Sequence, residues 1–400
     1  MFRPFITEIN MSAVDPSKRP FAWTPDQVKQ DDSWILRLTN EQVDGVQAAV
    51  AHAKRLDKPL LAMEQADFPL PAASQGALQQ AIDATQQRWG MCLLKGFPVD
   101  DWSEDETRMA YWGMSLYMGV GRTQNRASQY INDVRDAGGS YKVKGGRGYN
   151  TNAGLDFHQD SCDVVALLCR RTAKSGGTSK VVSSIALRDA IQKIRPDLIE
   201  ALKTRYFHSY QGTQDPSQPP YYRLSILGSH PEYFSARSNR KNTVAAQNDF
   251  PEVPRLTAAQ TEALDLLDTL MPTDQFCYSM ELERGDLQLL NNYVTLHSRT
   301  PFEDYEEPDL KRHLLRLWLA IPGSQPLPDD WLEYYGDTRA GSVRGGVRGS
   351  SITEEFLAYE KRQAAALNMP FTTWKPTVTK EDMQAYIASV SPSETAGSPV

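Results

Sequence analysis

The stretch GLDFHQDSCDVVALLC, residues 154–169, decides the expected fold class of this 400-residue chain. Its second half is an apolar run bounded by polar residues, which is typical of a buried β-strand. His158 and Asp160 precede that run, and residues at i and i+2 of a strand point to the same face. Two histidines and one carboxylate hold ferrous iron on one side and leave other coordination positions open. The stretch therefore predicts a sheet protein with His158 and Asp160 as metal ligands.

A second His-x-acid motif occurs at His230-Pro231-Glu232. With six histidines and 50 acidic residues in the chain, about 0.75 such motifs are expected by chance, so the pattern alone is weak. Pro231 removes a backbone donor and favours a turn. We therefore expect His230 to lie in an exposed turn, and we favour His158 and Asp160 as the ligands.

The third ligand is expected from a distant strand, because two separate strands must converge on a metal. His297 ends the run DLQLLNNYVTLH at 286–297, in which Asn291, Tyr293, Thr295 and His297 share one strand face. A polar strand face is costly to bury unless it lines a site or finds partners. This run makes His297 the candidate third ligand.

Two arginines lie on one face of the predicted strand RHLLRLWLAI at 312–321. Arg312, Leu314, Arg316 and Trp318 share that face, and Trp318 is expected to fill the core. A guanidinium cannot lose its charge, so burying one unpaired is expensive. Arg312 and Arg316 therefore call for carboxylates, from this chain or from a ligand with two carboxylates. A surface strand with solvated arginines is the alternative.

The composition excludes several classes of partner. The chain has 43 Lys and Arg against 50 Asp and Glu, a formal net charge of −7, and so lacks a basic field for a phosphate backbone. No run of 18 apolar residues occurs, and the four cysteines lack CxxC spacing. We predict a cytoplasmic protein that binds neither nucleic acid nor membranes and leave homo-oligomerisation open.

Local patterns divide the chain into segments. Residues 1–30 are expected to be an extended arm, 211–256 an insertion and 391–400 a disordered tail. Helices are predicted at 41–56 with Asn40 as N-cap, at 76–89 and at 185–203. Two more are predicted from capping boxes, at 103–117 from Ser103 with Glu106 and at 258–270 from Thr257 with Gln260. Strands are predicted at 91–99, 163–169, 179–184, 275–282, 286–297 and 312–321. Strands far apart in sequence, with helices around them, favour an antiparallel barrel or sandwich with helical packing outside.

Five blocks of sequence resemble the successive motifs of one enzyme family. They are FHQD (157–160), AKSGGTSKVVSS (173–184), GDLQLLNN (285–292), LHSRTPFED (296–304) and KRHLLRLWL (311–319). In this order they are similar to the taurine dioxygenase-like (TauD/TfdA) family of iron(II)- and 2-oxoglutarate-dependent dioxygenases. The resemblance covers residues 90–325. It implies a mainly β protein, a double-stranded β-helix (jelly roll) with a helical N-terminal layer and insertions, in one domain over 31–390.

The resemblance also implies an activity. Its iron ligands would be His158, Asp160 and His297, with 2-oxoglutarate and dioxygen as co-substrates. The expected reaction is hydroxylation of an unactivated C–H bond in a small carboxylate- or amino-acid-like molecule, with desaturation or cyclisation as variants and succinate and CO2 as by-products. A non-catalytic small-molecule-binding protein, or a metalloenzyme that does not use 2-oxoglutarate, are the alternatives.

The same resemblance assigns the co-substrate contacts. Arg312 would hold the distal carboxylate of 2-oxoglutarate, for which the guanidinium geometry is suited. In the family a hydroxyl residue after the glycine pair at 176–177 assists it. Alignment of the following residues puts Ser179 at that position, and Thr178 stays open as the alternative. Arg316 would face the substrate.

The glycine-rich segment YKVKGGRGYNTNAG at 141–154 directly precedes the first candidate ligand. We expect it to form a lid that closes over bound substrate, with an ordinary surface loop as the alternative. Its candidate substrate contacts are Tyr141, Arg147, Tyr149, Asn150 and Asn152.

Overall fold

The computed structural model describes residues 19–141, 143, 146, 148–348 and 352–390. Arg147, most of the predicted arm and the predicted tail at 391–400 lie outside these residues. The helices are α1 (Pro25–Gln30), α2 (Asn40–Leu56), α3 (Ala72–Gln86), α4 (Glu104–Ser115), α5 (Ser184–Ile194), α6 (Pro196–Lys203), α7 (Arg240–Asp249), α8 (Ala258–Leu270), α9 (Leu332–Tyr335), α10 (Glu354–Ala366) and α11 (Lys380–Val390).

Strands run through the middle of the chain. They are β1 (Ile35–Arg37), β2 (Met91–Lys95), β3 (Val120–Arg122), β4 (Asn132–Val134), β5 (Leu155–His158), β6 (Val164–Arg171), β7 (Ser175–Gly176), β8 (Ser179–Ser183), β9 (Arg205–Ser209), β10 (Tyr221–Ser225), β11 (Cys277–Met280), β12 (Leu287–Asn291), β13 (Thr295–Arg299), β14 (Phe302–Glu303) and β15 (His313–Ala320).

Two larger sheets carry the candidate site. A seven-stranded sheet has the order β1-β2-β12-β6-β15-β3, with β4 also paired to β15. A four-stranded sheet has the order β11-β8-β13-β5. The pairs are antiparallel except β1 with β2. Two-stranded pairs, β9 with β10 and β7 with β14, lie outside these sheets.

The layers follow from alternating side chains on the strands. On the outer face of the seven-stranded sheet, Leu315 and Leu317 pack with the N-terminal helices through Val46 and Trp112. Between the two sheets, Leu93 and Trp318 belong to one cluster with Val181 and Met280. On the outer face of the four-stranded sheet, Val182 and Leu296 pack with α5, α6 and α8. Each fully buried aliphatic side chain of this kind contributes about 1.5–3 kcal/mol.

The predicted helices form, with shifted ends. Thr39 rather than Asn40 is the N-cap of α2, because its hydroxyl accepts the Gln42 N–H while the Gln42 side chain caps Thr39 in return. The boxes predicted for α4, at Ser103, and for α8, at Thr257, are present. The predicted helix at 185–203 is two helices, since Pro196 starts α6. The expectation of a wholly extended arm was wrong, because Thr24 and Pro25 begin α1.

The predicted strand at 286–297 is also two strands. The Asn291 side chain accepts the N–H of Tyr293 at 2.9 Å, and this turn ends β12. Thr295 starts β13, which pairs in the other sheet. The expectation that Asn291, Tyr293, Thr295 and His297 share one strand face was therefore wrong. None of the helices in the described ranges combines the length and apolarity needed to span a bilayer.

Candidate active site

One cavity of about 180 Å³ is bounded by both larger sheets. The four-stranded sheet contributes His158 and His297, and strand β15 contributes Leu314, Arg316 and Trp318. Two further segments close it: part of the 141–154 loop, and residues of the predicted insertion such as those around α7. The cavity therefore brings together parts of the chain that are far apart in sequence.

His158, Asp160 and His297 meet in this cavity, with their ligand atoms within 4.8 Å of one another. His158 and His297 are direct partners across β5 and β13. Asp160 Oδ1 lies 3.9 Å from His158 Nε2, and Asp160 Oδ2 lies 3.8 Å from His297 Nε2. Asp160 lies beyond the end of β5, and its backbone N–H donates to Asn292 Oδ1 at 3.0 Å.

The protonation states suit a metal. Burial alone would raise the pKa of the Asp160 carboxyl, but the Arg316 cation, then the two histidines and the Trp318 indole, outweigh it and lower that pKa below its usual value. Burial lowers the pKa of His297 to about 3, because desolvation disfavours the imidazolium form. A carboxylate and neutral imidazoles are the forms that bind a metal ion.

A hydrogen bond at Nδ1 orients the imidazole ring of His158 but not that of His297. His158 Nδ1 lies 2.8 Å from the Asp156 carbonyl, which can only accept, so Nδ1 carries a proton and Nε2 is the ring nitrogen available to a metal. His297 Nδ1 is buried and has no hydrogen-bond partner in the described residues. These donor atoms fit an iron(II) ion held by two imidazoles and one carboxylate.

Another cluster of possible ligands, Glu104, Asp133 and His313, lies away from this site. Asp133 accepts from Arg108 and lies 2.6 Å from His313 Nε2, while Glu104 pairs with Arg108 and Arg170. Cations already occupy these carboxylate oxygens, so the cluster is an ion-pair network.

Arg312 is a buried cation at the cavity wall, 5% exposed. Its Nη1 has no hydrogen-bond partner in the described residues, and its guanidinium lies 5.0 Å from the centre of the Phe302 ring. Burial lowers its pKa. A Cβ atom at Gly177 would lie 2.9 Å from Arg312 Nε, so the glycine leaves room for this side chain.

The two hydroxyl candidates differ in position. Ser179 is buried, lines the cavity and is hydrogen-bonded to Gln288, with Oγ 3.0 Å from Nε2. Thr178 is absent from the cavity lining, and its hydroxyl donates to Glu281.

Only some of the predicted substrate contacts lie at the cavity. Tyr149 and Tyr141 line the cavity, but Asn150 and Asn152 do not. Asn152 is exposed, and the Asn150 carbonyl accepts the N–H groups of Ala137 and Gly139, which ties it to the neighbouring loop. The structure therefore does not bring these two asparagines to the cavity, contrary to our expectation.

Arg316 lines the cavity but already has partners. Its Nε donates to Gln124 Oε1 at 2.7 Å, and its Nη1 lies 3.4 Å from Asp160 Oδ2. Trp318 donates its indole N–H to the same oxygen at 2.9 Å. Trp318 was expected as a core residue, and it is also part of the site.

The other His-x-acid motif lies in a turn. His230 Nδ1 accepts the N–H groups of Glu232 and Tyr233, and Glu232 is exposed. Neither residue lines the cavity. These local bonds confirm the expected turn, but His230 itself is half-buried rather than exposed.

Sequence reasoning missed the contribution of the 211–256 segment. Its residues in the cavity wall include Tyr222, Arg237, Asn239 and Lys241. Asn239 bridges to His158, which fastens this segment beside the candidate ligands. Its composition, rich in Gln, Pro, Asn and Arg, resembles that of a surface loop and gave no signal of this role.

Comparison with known proteins gives concordant results. The model of the "Taurine catabolism dioxygenase TauD, TfdA family" matches residues 54–318. FR-33289 synthase of Streptomyces rubellomurinus is 30% identical over 318 residues, which cover 76% of this chain and 91% of that protein.

Two solved structures of oxygenases have a similar fold. An asparagine oxygenase in complex with Fe(II), 3-hydroxyasparagine and succinate aligns with a TM-score of 0.51 at 18% identity, covering 72% of this chain and 93% of the other. The non-heme iron oxygenase OrfP in complex with Fe and alpha-ketoglutaric acid aligns with a TM-score of 0.53 at 16% identity, covering 71% and 93%. The chain belongs to the TauD/TfdA family of iron(II)- and 2-oxoglutarate-dependent dioxygenases.

Proposed function

We propose that this dioxygenase hydroxylates an unactivated C–H bond of a small carboxylate- or amino-acid-like molecule, with His158, Asp160 and His297 as the iron ligands. The observation that carries the proposal is the convergence of these three side chains in one cavity, with their ligand atoms within 4.8 Å of one another. The asparagine oxygenase structure, which holds 3-hydroxyasparagine and succinate, supports the substrate class.

Arg312 and Ser179 are proposed to hold 2-oxoglutarate. The Arg312 guanidinium is buried without an ion pair in the described residues, so a bound carboxylate would supply its counter-charge. Ser179 lines the same cavity with its hydroxyl, whereas Thr178 is engaged with Glu281. These placements favour Ser179 over Thr178 as the hydroxyl contact.

The reaction consumes substrate, 2-oxoglutarate and dioxygen and yields hydroxylated substrate, succinate and CO2. Bound iron supplies the redox chemistry that activates dioxygen. The protein contributes orientation and exclusion of water. Arg316 and Trp318 hold the Asp160 carboxylate through its Oδ2, while Leu314 and Leu282 give the cavity apolar walls.

We also propose that the two larger sheets are the halves of a double-stranded β-helix, or jelly roll, in one domain over 31–390. The apolar cluster between them, which includes Val181 and Trp318, supports this arrangement. The ligand strands β5 and β13 are adjacent in the four-stranded sheet, and β15 of the facing sheet supplies Arg316 and Trp318.

The test uses the two His-x-acid motifs as a matched pair. The protein, Asp160→Ala and Glu232→Ala are loaded anaerobically with Fe(II). Bound iron is measured by metal analysis after gel filtration, and succinate formation from labelled 2-oxoglutarate is measured once dioxygen is admitted. We expect D160A to lose iron and turnover, because one of three ligands is gone, and E232A to keep both.

Reversed results for the two variants would assign the metal to the turn motif. Iron retention by D160A at the level of the parent protein would also overturn the ligand set. Substrates are then found by screening carboxylates and amino acids for those that increase succinate formation.

A further inference from the structure

Arg237 is a buried cation in the wall of the active-site cavity, 1% exposed. Its backbone N–H donates to the Ile226 carbonyl at 2.8 Å. The next residue, Ser238, donates its N–H to the Gln159 side chain at 2.7 Å and accepts the Gln159 N–H in return. Because Gln159 lies between His158 and Asp160, the segment that carries Arg237 is fastened directly to the candidate ligand segment.

The guanidinium of Arg237 has aromatic neighbours but no acidic partner. Its Nη2 donates to the Tyr334 hydroxyl at 2.8 Å, and its central carbon lies 4.3 Å from the Tyr334 ring centre. The stacked ring of Tyr222 is 5.8 Å away. Nε and Nη1 make no hydrogen bond within the described residues, and no carboxylate there forms an ion pair with them.

Other fully buried arginines of this fold are paired. Arg122 Nη1 lies 2.7 Å from Glu360, and Arg344 Nε lies 2.8 Å from Asp163. Burying a cation without a counter-ion costs several kcal/mol, because the surrounding protein does not replace the lost hydration. A bound molecule with a negative charge would supply what Arg237 lacks.

The charge of the whole cavity supports the same conclusion. Among the described lining residues, the cationic side chains are Lys241, Arg237, Arg299, Arg312 and Arg316, whereas Asp160 is the one carboxylate. Iron(II) and 2-oxoglutarate carry opposite charges of equal size, so their binding leaves this excess of positive charge in place. An anionic substrate would reduce it.

The remaining arginines of the cavity have other roles. Arg312 is assigned to 2-oxoglutarate, and Arg316 is engaged with Gln124 and Asp160. Arg299 donates through Nη2 to the carbonyls of Thr151 and Ala153 at 2.8 and 2.5 Å. Its Nε and Nη1 also lack partners within the described residues, but its guanidinium contacts the same Phe302 ring as that of Arg312, which places it beside the position assigned to 2-oxoglutarate. Arg237 is therefore the best placed of these arginines for a group on the primary substrate.

We propose that Arg237, together with the Tyr334 hydroxyl, binds an oxyanion of the primary substrate, either a carboxylate, a sulfonate or a phosphonate. The inference rests on the proposed function, because it gives the substrate of that same cavity an anionic group and names the residue that selects it. The family resemblance implied that Arg316 faces the substrate, whereas this proposal gives the recognition of the substrate anion to Arg237 in the 211–256 segment.

The test measures binding of small oxyanions to the protein loaded anaerobically with Fe(II) and saturating 2-oxoglutarate, so that the Arg312 position is filled. The probes are acetate, methanesulfonate and methylphosphonate, with acetamide as the uncharged match. Dissociation constants come from ligand-observed NMR. The variants are Arg237→Met, Arg237→Lys and Tyr334→Phe. The control is Arg188→Met, since Arg188 pairs with Asp189 and is absent from the cavity lining.

We expect at least one anion to bind the parent protein about 10-fold more tightly than acetamide, and R237M to lose that preference. R237K should keep part of it, Y334F should weaken it several-fold, and R188M should leave it unchanged. If R237M fails to fold, R237K and Y334F carry the test.

Equal binding of anions and acetamide by the parent protein would overturn the proposal, as would an anion preference retained in both R237M and Y334F. Failure of the proposed function has a separate signature, namely no iron binding and no succinate from 2-oxoglutarate in the parent protein. The oxyanion result is therefore distinguishable from the failure of the dioxygenase assignment.

Discussion

The indole N–H of Trp318 donates to Asp160 Oδ2 at 2.9 Å, across 158 positions of sequence. Strand β15 thereby fixes the orientation of the candidate iron-binding carboxylate from the facing sheet. Arg316, two residues earlier on the same strand face, reaches the same oxygen at 3.4 Å. The Asp160 carboxylate is therefore held by side chains of the facing sheet, while its backbone N–H is held by Asn292.

Trp318→Phe is expected to weaken iron binding while preserving packing. Phenylalanine keeps a ring between the sheets but lacks the N–H, so Asp160 loses a hydrogen bond that orients it. Loss of such a contact behind a metal ligand typically lowers metal affinity about 10-fold or more. Competition for Fe(II) with a chromogenic chelator measures the change. Trp331→Phe is the control, because the Trp331 indole donates to Ser225 instead. Equal affinity in W318F and the parent protein would contradict the expectation.

Ser179→Ala and Thr178→Ala separate the two candidate hydroxyl contacts of 2-oxoglutarate. S179A is expected to raise the KM for 2-oxoglutarate about 5- to 10-fold, since a hydrogen bond to a charged group is lost. T178A is expected to leave this KM unchanged, because Thr178 bonds Glu281 outside the cavity. Steady-state succinate formation at varied 2-oxoglutarate measures both. A larger effect in T178A would assign the contact to Thr178.

The elements of the fold were largely accessible to sequence reasoning because they rest on local patterns. Residues a few positions apart determine the capping boxes at Ser103 and Thr257. The same is true of the alternation in the strand predicted at 312–321. The break inside 286–297 was missed because it depends on a single asparagine side chain, that of Asn291, which turns the backbone within a run that otherwise alternates like one strand. Nothing in the alternation of that run distinguishes one strand from two.

The candidate site was accessible only in part. His158, Asp160 and His297 follow from spacing together with the family resemblance, and the structure brings them together. Arg237 could not be found in this way, because its role depends on the absence of an acidic neighbour in three dimensions. Asn150 and Asn152 were chosen from their place in a loop, and a loop sequence does not fix which way each side chain points.

Gly177→Ala and Gly212→Ala form a matched pair that tests the room needed by Arg312. Both glycines have a positive φ, +74° at Gly177 and +72° at Gly212, so either alanine costs about 1–2 kcal/mol of backbone strain. A Cβ at Gly177 also meets Arg312 Nε at 2.9 Å, whereas nothing lies within 4 Å of one at Gly212. Only G177A is therefore expected to raise the KM for 2-oxoglutarate, by several-fold. Thermal unfolding should show that both substitutions lower the stability by similar amounts. An equal KM for 2-oxoglutarate in both variants would show that Arg312 does not need the space left by Gly177.

His208 is expected to make the stability of the protein fall in mild acid. Its Nε2 lies 3.3 Å from the Leu224 carbonyl, to which it donates, and its Nδ1 lies 3.1 Å from the Thr243 hydroxyl, so the neutral ring is fully hydrogen-bonded in the folded protein. Burial, assisted by the Arg237 cation, lowers the pKa of His208 to about 3. The unfolded chain, with a histidine pKa near 6.5, then binds more protons than the folded one between these values. The contribution of neutral His208 to the free energy of unfolding is therefore fully present above pH 6.5 and is lost as the pH falls towards 3.

His208→Gln should reduce this dependence. Between pH 7 and pH 5 the parent protein is expected to lose up to about 2 kcal/mol of unfolding free energy through His208, and H208Q to lose correspondingly less. Urea unfolding of the metal-free protein at both pH values measures the difference. Leu202→Ala is the control, since Leu202 is fully buried in the neighbouring core and its loss costs about 2–5 kcal/mol without removing a titrating group. L202A should lower the free energy of unfolding by the same amount at both pH values. H208Q should show a smaller difference between the two pH values than the parent protein. Together these results would assign the pH dependence to His208. If H208Q kept the full slope of the parent protein, the proton uptake would have to come from another group.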